Sequence, residues 1–324
     1  MTDLGEERTR LLVKVSNLYY NDGLNQQEIA TRLGVSRPQV SRMLSMAKAA
    51  GIVQITIKNP YSEEQQYERA IAETFGIHDV SVLNVPDGDA KTIETQLARA
   101  GSALLESALK DHDVVGVMAG RSIASIGVEI GYVQRKGLQF VPLVGGWGSA
   151  GAPWHANSNA RALGEKMKSS YRLLNAPAVV ASKEARDVFA SEPEIADVLR
   201  LAEKSSIALV GIGQVSERAT IVQSGYFGEG DIARVREMGA VASFCTSFLD
   251  ERGKVVPYDG EERMIGLTAE QLRRVPNVIA IASGEEKVPA ICATLRGRWV
   301  DVLITDMETA KQVLKWHGQH PVSP

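Results

Sequence analysis

LNQQEIATRLGVSRPQVSRMLSMAKAAGIVQITI, residues 24–57, is the stretch around which the chain is organised. It reads as two short helices, a tight turn between them, and a β-ribbon. Asn25 is a favoured N-cap, and Glu28 three residues later completes a capping box. Ile29, Ala30 and Leu33 give the first helix an apolar face. Gly34 supplies the turn, because a residue without Cβ takes positive φ at little cost. Val35 follows as an apolar plug. Ser36 then caps a second helix, with Pro38 in its first turn, where a missing N–H costs nothing. Val40, Met43, Leu44 and Ala47 recur at i, i+3, i+4 and i+7 as its inner stripe. Gly51 sits at the C′ position, and residues 52–57 alternate as a strand does.

A small residue at Ala30, a glycine at Gly34 and an apolar residue at Val40 have the spacing of a helix-turn-helix. The ribbon after it makes this a winged variant, with the wing over the DNA backbone or minor groove. The second helix leaves Arg37, Gln39, Ser41, Arg42 and Ser45 outward, with Ser36 at its cap and Gln26 at the start of the first helix. Arginines suit phosphate or guanine, a glutamine suits adenine, and serines suit phosphates or base edges. A helical hairpin with a merely solvated face would not need cap, glycine, stripe and ribbon to agree.

The charge is divided in the same way. Residues 1–59 carry eight Lys/Arg against five Asp/Glu, a net of +3, and the remainder nets −6 within a total of −3. A basic head on an acidic body fits a phosphate-contacting module joined to a domain that does not touch DNA. At 324 residues and 44% hydrophobic content the chain has room for two domains. Two cysteines, Cys245 and Cys292, imply no disulfide framework, which suggests a reducing compartment. The charged start MTDLGEERTR is unlike a signal peptide, and no apolar run reaches the roughly 20 residues that span a bilayer, so a soluble cytoplasmic protein is expected.

Outward from the central stretch, residues 6–20 form a helix with Leu11, Leu12, Val15, Leu18 and Tyr19 on one side, closed by Asn21-Asp22-Gly23. Asn59-Pro60 ends the ribbon. The expected organisation is a winged helix-turn-helix at 1–59, a linker helix at 60–76 with a share in dimer contact, a body at 77–317, and a tail at 318–324. In the body, β-branched runs at 80–83, 114–117, 140–144, 178–180, 207–213, 278–282 and 302–305 alternate with amphipathic helices near 91–110, 122–135, 158–168, 194–204, 231–238, 287–296 and 307–316. That alternation predicts an α/β domain with a mostly parallel sheet covered on both faces.

Ligands of such sheets sit beyond the carboxyl ends of the strands. Four loops there draw attention. Gly120-Arg121-Ser122 opens a helix and offers free N–H groups, a cation and a hydroxyl to an anion. The stretch from Gly145 through Gly146 and Trp147 to Gly151 is long enough to be a lid and leads to His155 and Asn159. Gly213-Gln214 follows a third run, and Gly284 leads to Lys287 after a fourth. Any single glycine turn is ordinary. Four on one edge point to a phosphate-bearing ligand. No GxGxxG or GxxxxGK[ST] supports a nucleotide.

Catalysis finds little support. His78, His112, His155, His317 and His320 are scattered, without metal-ligand spacing, and the last two fall in a solvated tail. Cys245 lies in an apolar run and reads as core, and no GxSxG elbow is present. No metal or cofactor is expected. Asp250, Asp259 and Arg263 fit either surface ion pairs or contacts to sugar hydroxyls.

The ordered motifs VPLVGG, LNAPAVV, ALVGIG, GAVASFCTSFLDERG, VIAIASGEEK, TLRG and VDVLITDMETA, behind a winged helix-turn-helix, resemble the SorC/DeoR-type bacterial regulators of sugar metabolism over nearly the whole chain. The resemblance implies a body similar to glucosamine-6-phosphate deaminase and ribose-5-phosphate isomerase with catalysis lost. It also implies a phosphorylated sugar as inducer, oligomerisation through the body, and a tetramer on double-stranded operator DNA. By position, Gly120, Arg121 and Ser122 match the family's phosphate-cradling turn and Lys287 its last basic residue. The family's GAV motif continues with Gly-Asp. Here Gly239-Ala240-Val241-Ala242-Ser243 puts a serine where a carboxylate would bind sugar hydroxyls or an amine. The alternative is a sugar-phosphate isomerase or deaminase with a DNA-binding appendage, against which the serine counts.

Overall fold

The computed structural model describes residues 6–53, 62–86, 88–146, 152–216 and 229–322, in two compact units, residues 1–60 and 61–324. In the first, helices α1 (Glu6–Tyr20), α2 (Gln26–Leu33) and α3 (Arg37–Ala49) enclose Val15, Leu18, Ile29, Ala30, Val40 and Leu44. Asn25 Oδ1 accepts from the N–H of Gln27 and Glu28, while Glu28 Oε2 accepts from Asn25 N–H at 2.8 Å. Gly34 ends α2 at φ +67°, and Gly51 follows α3 at φ +73°. Leu11, expected in the stripe of α1, is 39% exposed. The expected wing residues 54–57 lie outside the described residues. Asn25→Ala is expected to cost the first unit about 1 kcal/mol, since two N–H groups lose their acceptor. An unchanged first transition in urea unfolding of the full chain would contradict this.

The second unit begins with α4 (Ser62–Phe75). It continues through β1 (Asp79–Leu83), α5 (Ala90–Ala108), β2 (Val114–Val117), α6 (Arg121–Glu129), β3 (Gln139–Pro142), α7 (Ala156–Lys166), β4 (Ser170–Tyr171), α8 (Lys183–Ser191), α9 (Pro193–Glu203), β5 (Ile207–Gly211) and β6 (Gly213–Gln214). It closes with α10 (Glu229–Glu237), β7 (Ala240–Phe244), β8 (Ser247–Asp250), α11 (Ala269–Leu272), β9 (Asn277–Ile281), α12 (Val288–Arg296), β10 (Val302–Asp306) and α13 (Met307–Gln319). Seven strands form one parallel sheet in the order β1-β10-β9-β5-β2-β3-β4. Alternate strand residues face opposite cores. Val115, Val117, Ile207, Leu209, Ile279 and Ile304 meet α5, α6 and α7, whereas Ala208, Val210, Val278, Ala280 and Leu303 meet α4, α12 and α13. This two-sided burial is why the strands read as continuous apolar runs.

Four expectations need correction. Residues 178–180 form no strand; Val179 makes a single antiparallel bridge to Met264, and the fourth strand is the short Ser170–Tyr171. The sequence around Cys245 is an antiparallel ribbon, β6-β7-β8, with Cys245 in its turn at φ +53°. The helix at 62–75 is no free linker. Ile71 and Phe75 are buried in the body, and Glu68 Oε1 accepts from Val82 N–H at 3.0 Å on edge strand β1. The last helix runs to Gln319, and its end is tied down. Arg296 donates through Nε to His317 Nδ1 at 3.2 Å and stacks on Trp316; His317 meets Phe75 edge-on, and His320 stacks on Trp316.

That bond requires a neutral His317 ring. Burial, and next the Arg296 charge, hold the His317 pKa below its ordinary value. A depressed histidine pKa leaves folding unaffected while both states are neutral and favours the unfolded chain once only that chain takes the proton. Stability of the body should therefore fall as pH drops below about 6.5. His317→Gln should show a shallower decline in urea midpoint between neutral and mildly acidic pH. Parallel declines would contradict the assignment; His155, also depressed by burial, adds to the decline in the same direction.

Candidate DNA-reading face and effector site

In the first unit, burial of Val40, Leu44 and Ala47 fixes the rotation of α3. Arg37, Gln39, Ser41, Arg42 and Ser45 are consequently exposed, as is Ser36 at the cap, while Gln26 is half-buried. Two side chains are partly committed to their own helix. Gln39 Oε1 accepts from Ser36 N–H at 2.8 Å and from the Ser36 hydroxyl at 3.0 Å. Ser45 donates to Ser41 O at 3.1 Å. Reading adenine takes both halves of a carboxamide, so Gln39 must release its cap bond to do it; as it stands it presents its NH₂ donors.

In the second unit, all strands of the main sheet run the same way, so their carboxyl ends share one edge. From β2 the chain winds outward to β3 and β4, and from β5 it winds to β9 and β10 on the other side. The winding reverses between β5 and β2, the place where sheets of this kind receive their ligands. The four loops singled out in the sequence follow β9, β5, β2 and β3, which are consecutive in the sheet.

After β2, Gly120 takes φ +143°, and Arg121 begins α6. Asn159, 2% exposed, holds this turn: its Nδ2 donates to Met118 O at 3.0 Å, Gly120 O at 3.3 Å and Trp154 O at 3.4 Å. Asn159 thus acts as a clamp on the loop's backbone. Arg121 is exposed and lies over Trp154 at 5.0 Å, with Ser122 half-buried behind it. After β3, Gly145 is required by packing, since a Cβ there would meet Ala176 O and Pro177 O at 2.6 Å. Gly146 bridges to Pro177, and Trp147 lies outside the described residues. After β5, Gly213 pairs with Ser243 of the ribbon, and Gly213–Gln214 lies beside Glu285–Lys287. The ribbon's turn also reaches the β2 loop, where Cys245 Sγ is 3.9 Å from Met118 Sδ. Burial raises the Cys245 thiol to about 12, so it is core.

Lys287 joins this group electrostatically. Burial lowers its pKa; Glu286 and Glu94 pull it back up, and Arg121 lowers it further. Two cations from two loops therefore share a field with Glu94 of α5, which accepts from Ser125 Oγ at 2.5 Å. Glu94 was not legible in the sequence, because a lone glutamate on an amphipathic helix carries no motif.

Asp250 is not brought to this group. It pairs with Ala240, at the far end of the ribbon from Ser243, and its Oδ1 accepts from the N–H of Arg252 and Lys254 as a turn residue. Asp259 and Arg263 are engaged with α10, through Arg234–Asp259 at 2.8 Å and Arg263–Asp231 at 3.5 Å. Cavities of about 1100, 450 and 390 Å³ lie elsewhere, and none is lined by a residue expected to bind effector. Among the described residues there is no metal-ligand cluster, and no helix is long and apolar enough to cross a membrane.

A helix-turn-helix unit joined to a parallel α/β body whose winding reverses at the centre of the sheet is the architecture of two-domain transcription regulators. Residues 59–315 match the family model described as "Putative sugar-binding domain", and residues 5–55 match "Homeodomain-like domain". The chain is 29% identical over 311 residues to the deoxyribonucleoside regulator of Bacillus subtilis, covering 96% of this chain and 99% of that one. It is 30% identical over 313 residues to the transcriptional regulator LsrR of an Enterobacter species, covering 95% and 94%. The full-length sorbitol operon regulator SorC of Klebsiella pneumoniae superposes with TM-score 0.74 at 25% identity, over 96% of this chain and all of that one. The protein belongs to the SorC-type family of bacterial transcriptional regulators with a sugar-binding domain.

Proposed function

We propose that the protein is a DNA-binding regulator of a carbohydrate-utilisation operon, acting as a homo-oligomer and controlled by a small phosphorylated sugar. The observation that supports the ligand class is that Arg121, at the start of α6 after β2, and Lys287, in the loop after β9, lie on loops at the same carboxyl edge of the sheet, on either side of the winding reversal. Two cations and unpaired helix N–H groups suit a phosphate. Glu94 and the Gly213–Ser243 pair stand beside them for the sugar hydroxyls. A serine at Ser243 supports binding without turnover, since an isomerase or deaminase needs a positioned acid and base. Ser36, Arg37, Gln39, Ser41, Arg42 and Ser45, with Gln26, read the operator. Ligand shifts operator binding by favouring one arrangement of the oligomer.

A thermal-shift screen of sugar phosphates against their unphosphorylated sugars tests this. At the same concentration, phosphorylated ligands should stabilise the wild type more than Arg121→Ala. Equal stabilisation of both proteins by unphosphorylated polyols, with no response to any phosphorylated sugar, would refute the phosphate site.

A further inference from the structure

The closing motif VDVLITDMETA, residues 300–310, builds a buried junction. Asp306 ends β10 and caps α13, its Oδ1 accepting from Thr309 N–H at 2.9 Å. The Thr309 hydroxyl donates to Asp306 Oδ2 at 2.5 Å, so its proton is committed and its lone pairs turn elsewhere. One of them accepts the N–H of Gly284 at 2.9 Å. Thr309 is 2% exposed and Asp306 7%. Gly284 opens the loop that carries Lys287. At φ +109° it is a conformation side chains resist, and a Cβ there would meet the Glu286 carboxylate at 2.8 Å. Only a glycine adopts this turn readily, and with many conformations open to it the Thr309 hydrogen bond is what holds it in this one.

The same helix meets α4. Lys311 Nζ lies 3.3 Å from Glu63 and above the Tyr67 ring, and His317 contacts Phe75. α13 therefore touches both ends of the helix that follows the DNA-binding unit in the chain.

We infer that Asp306 and Thr309 form a latch that positions the 284–287 loop for its ligand and makes α13 the connection from that loop to α4. The ligand part rests on the effector site proposed above. Thr309 is a positioning residue: it acts through the loop and touches no ligand.

The test uses the full chain and inorganic phosphate as probe, with affinity from calorimetry and loop order from amide hydrogen exchange. In wild type, phosphate should slow exchange in residues 284–287 and in 62–75. Thr309→Val removes one acceptor and one donor from a buried chain, and phosphate affinity should fall about tenfold, with the slowing in 62–75 lost. Thr309→Ser restores the hydroxyl and should recover affinity to within about twofold. Asp306→Asn keeps the helix cap and should lose about threefold, which preserves the test should Thr309→Val not fold. A lower melting temperature for Thr309→Val with phosphate affinity and α4 exchange unchanged would make Thr309 purely structural and overturn the latch. If phosphate leaves the wild type unaffected, the effector site has failed and the latch is judged in the free protein. Gly284 exchange about tenfold faster in Thr309→Val than in Thr309→Ser keeps it, and equal rates overturn it.

Discussion

Replacing Arg42 by alanine is expected to lower the affinity of the full chain for its operator by about 1–3 kcal/mol, up to roughly a hundredfold. The expectation follows from position. Val40, Leu44 and Ala47 are buried and set the rotation of α3, so Arg42 is presented on the opposite face, away from the core. Its Nε reaches only as far as Pro38 O, at 3.5 Å. If Arg42 reads a base, the loss is largest on the cognate sequence and the salt dependence changes little. If it holds a phosphate, affinity falls on all sequences and the salt slope drops by about one. Operator titrations at several salt concentrations distinguish the two. Wild-type affinity with an unchanged slope would show that the reading face lies elsewhere.

The second large effect is at Arg121. Its replacement by alanine removes a charged donor from the turn after β2, and affinity for a phosphorylated sugar should fall by about 1.5–3 kcal/mol. Affinity for the unphosphorylated sugar should change little, because the loss is specific to the anion. Arg121→Lys should recover only part of it, since an ammonium neither forks to two oxygens nor stacks on Trp154 as a guanidinium does. Calorimetry with the phosphorylated and unphosphorylated sugar reads both numbers. Equal losses for the two ligands would assign Arg121 to general packing of the loop.

The helix-turn-helix was legible because its signals are local. Asn25, Glu28, Gly34 and Pro38 each act within one turn of the backbone, and the structure places them as their chemistry requires. The parallel sheet was legible for a related reason: strands buried on both faces leave uninterrupted apolar runs. The same property hid the ribbon. In residues 240–250 both faces of β7 and β8 are largely buried, and the turn uses Cys245-Thr246 in place of an Asn-Gly pair, so no alternation or turn signal marks a hairpin.

At the candidate site the sequence located the loops and missed what holds them. Asn159 was expected at a ligand and instead clamps three carbonyls, because its partners come from elements that only the fold brings together. Gly145 was expected in a mobile loop and is required by a close backbone approach. Asp250 satisfies its own turn, a local role that looks the same in sequence as a ligand carboxylate. Glu94 and Thr309 could not be found without the sheet order that sets α5 and α13 against the loops.

The central claim joins the two units: a phosphorylated sugar in the body changes how the first unit binds DNA. Fluorescence titration of the full chain onto duplex DNA from the promoter region of its own operon tests this directly, with and without the sugar phosphate that gives the largest thermal shift. Saturating ligand is expected to move operator affinity by a factor of about 5–150, the usual range for a coupling between sites, and Arg121→Ala, which still binds DNA, should need roughly ten- to a hundredfold more ligand for the same shift. Operator affinity that is identical at zero and saturating ligand, with ligand demonstrably bound, would contradict it.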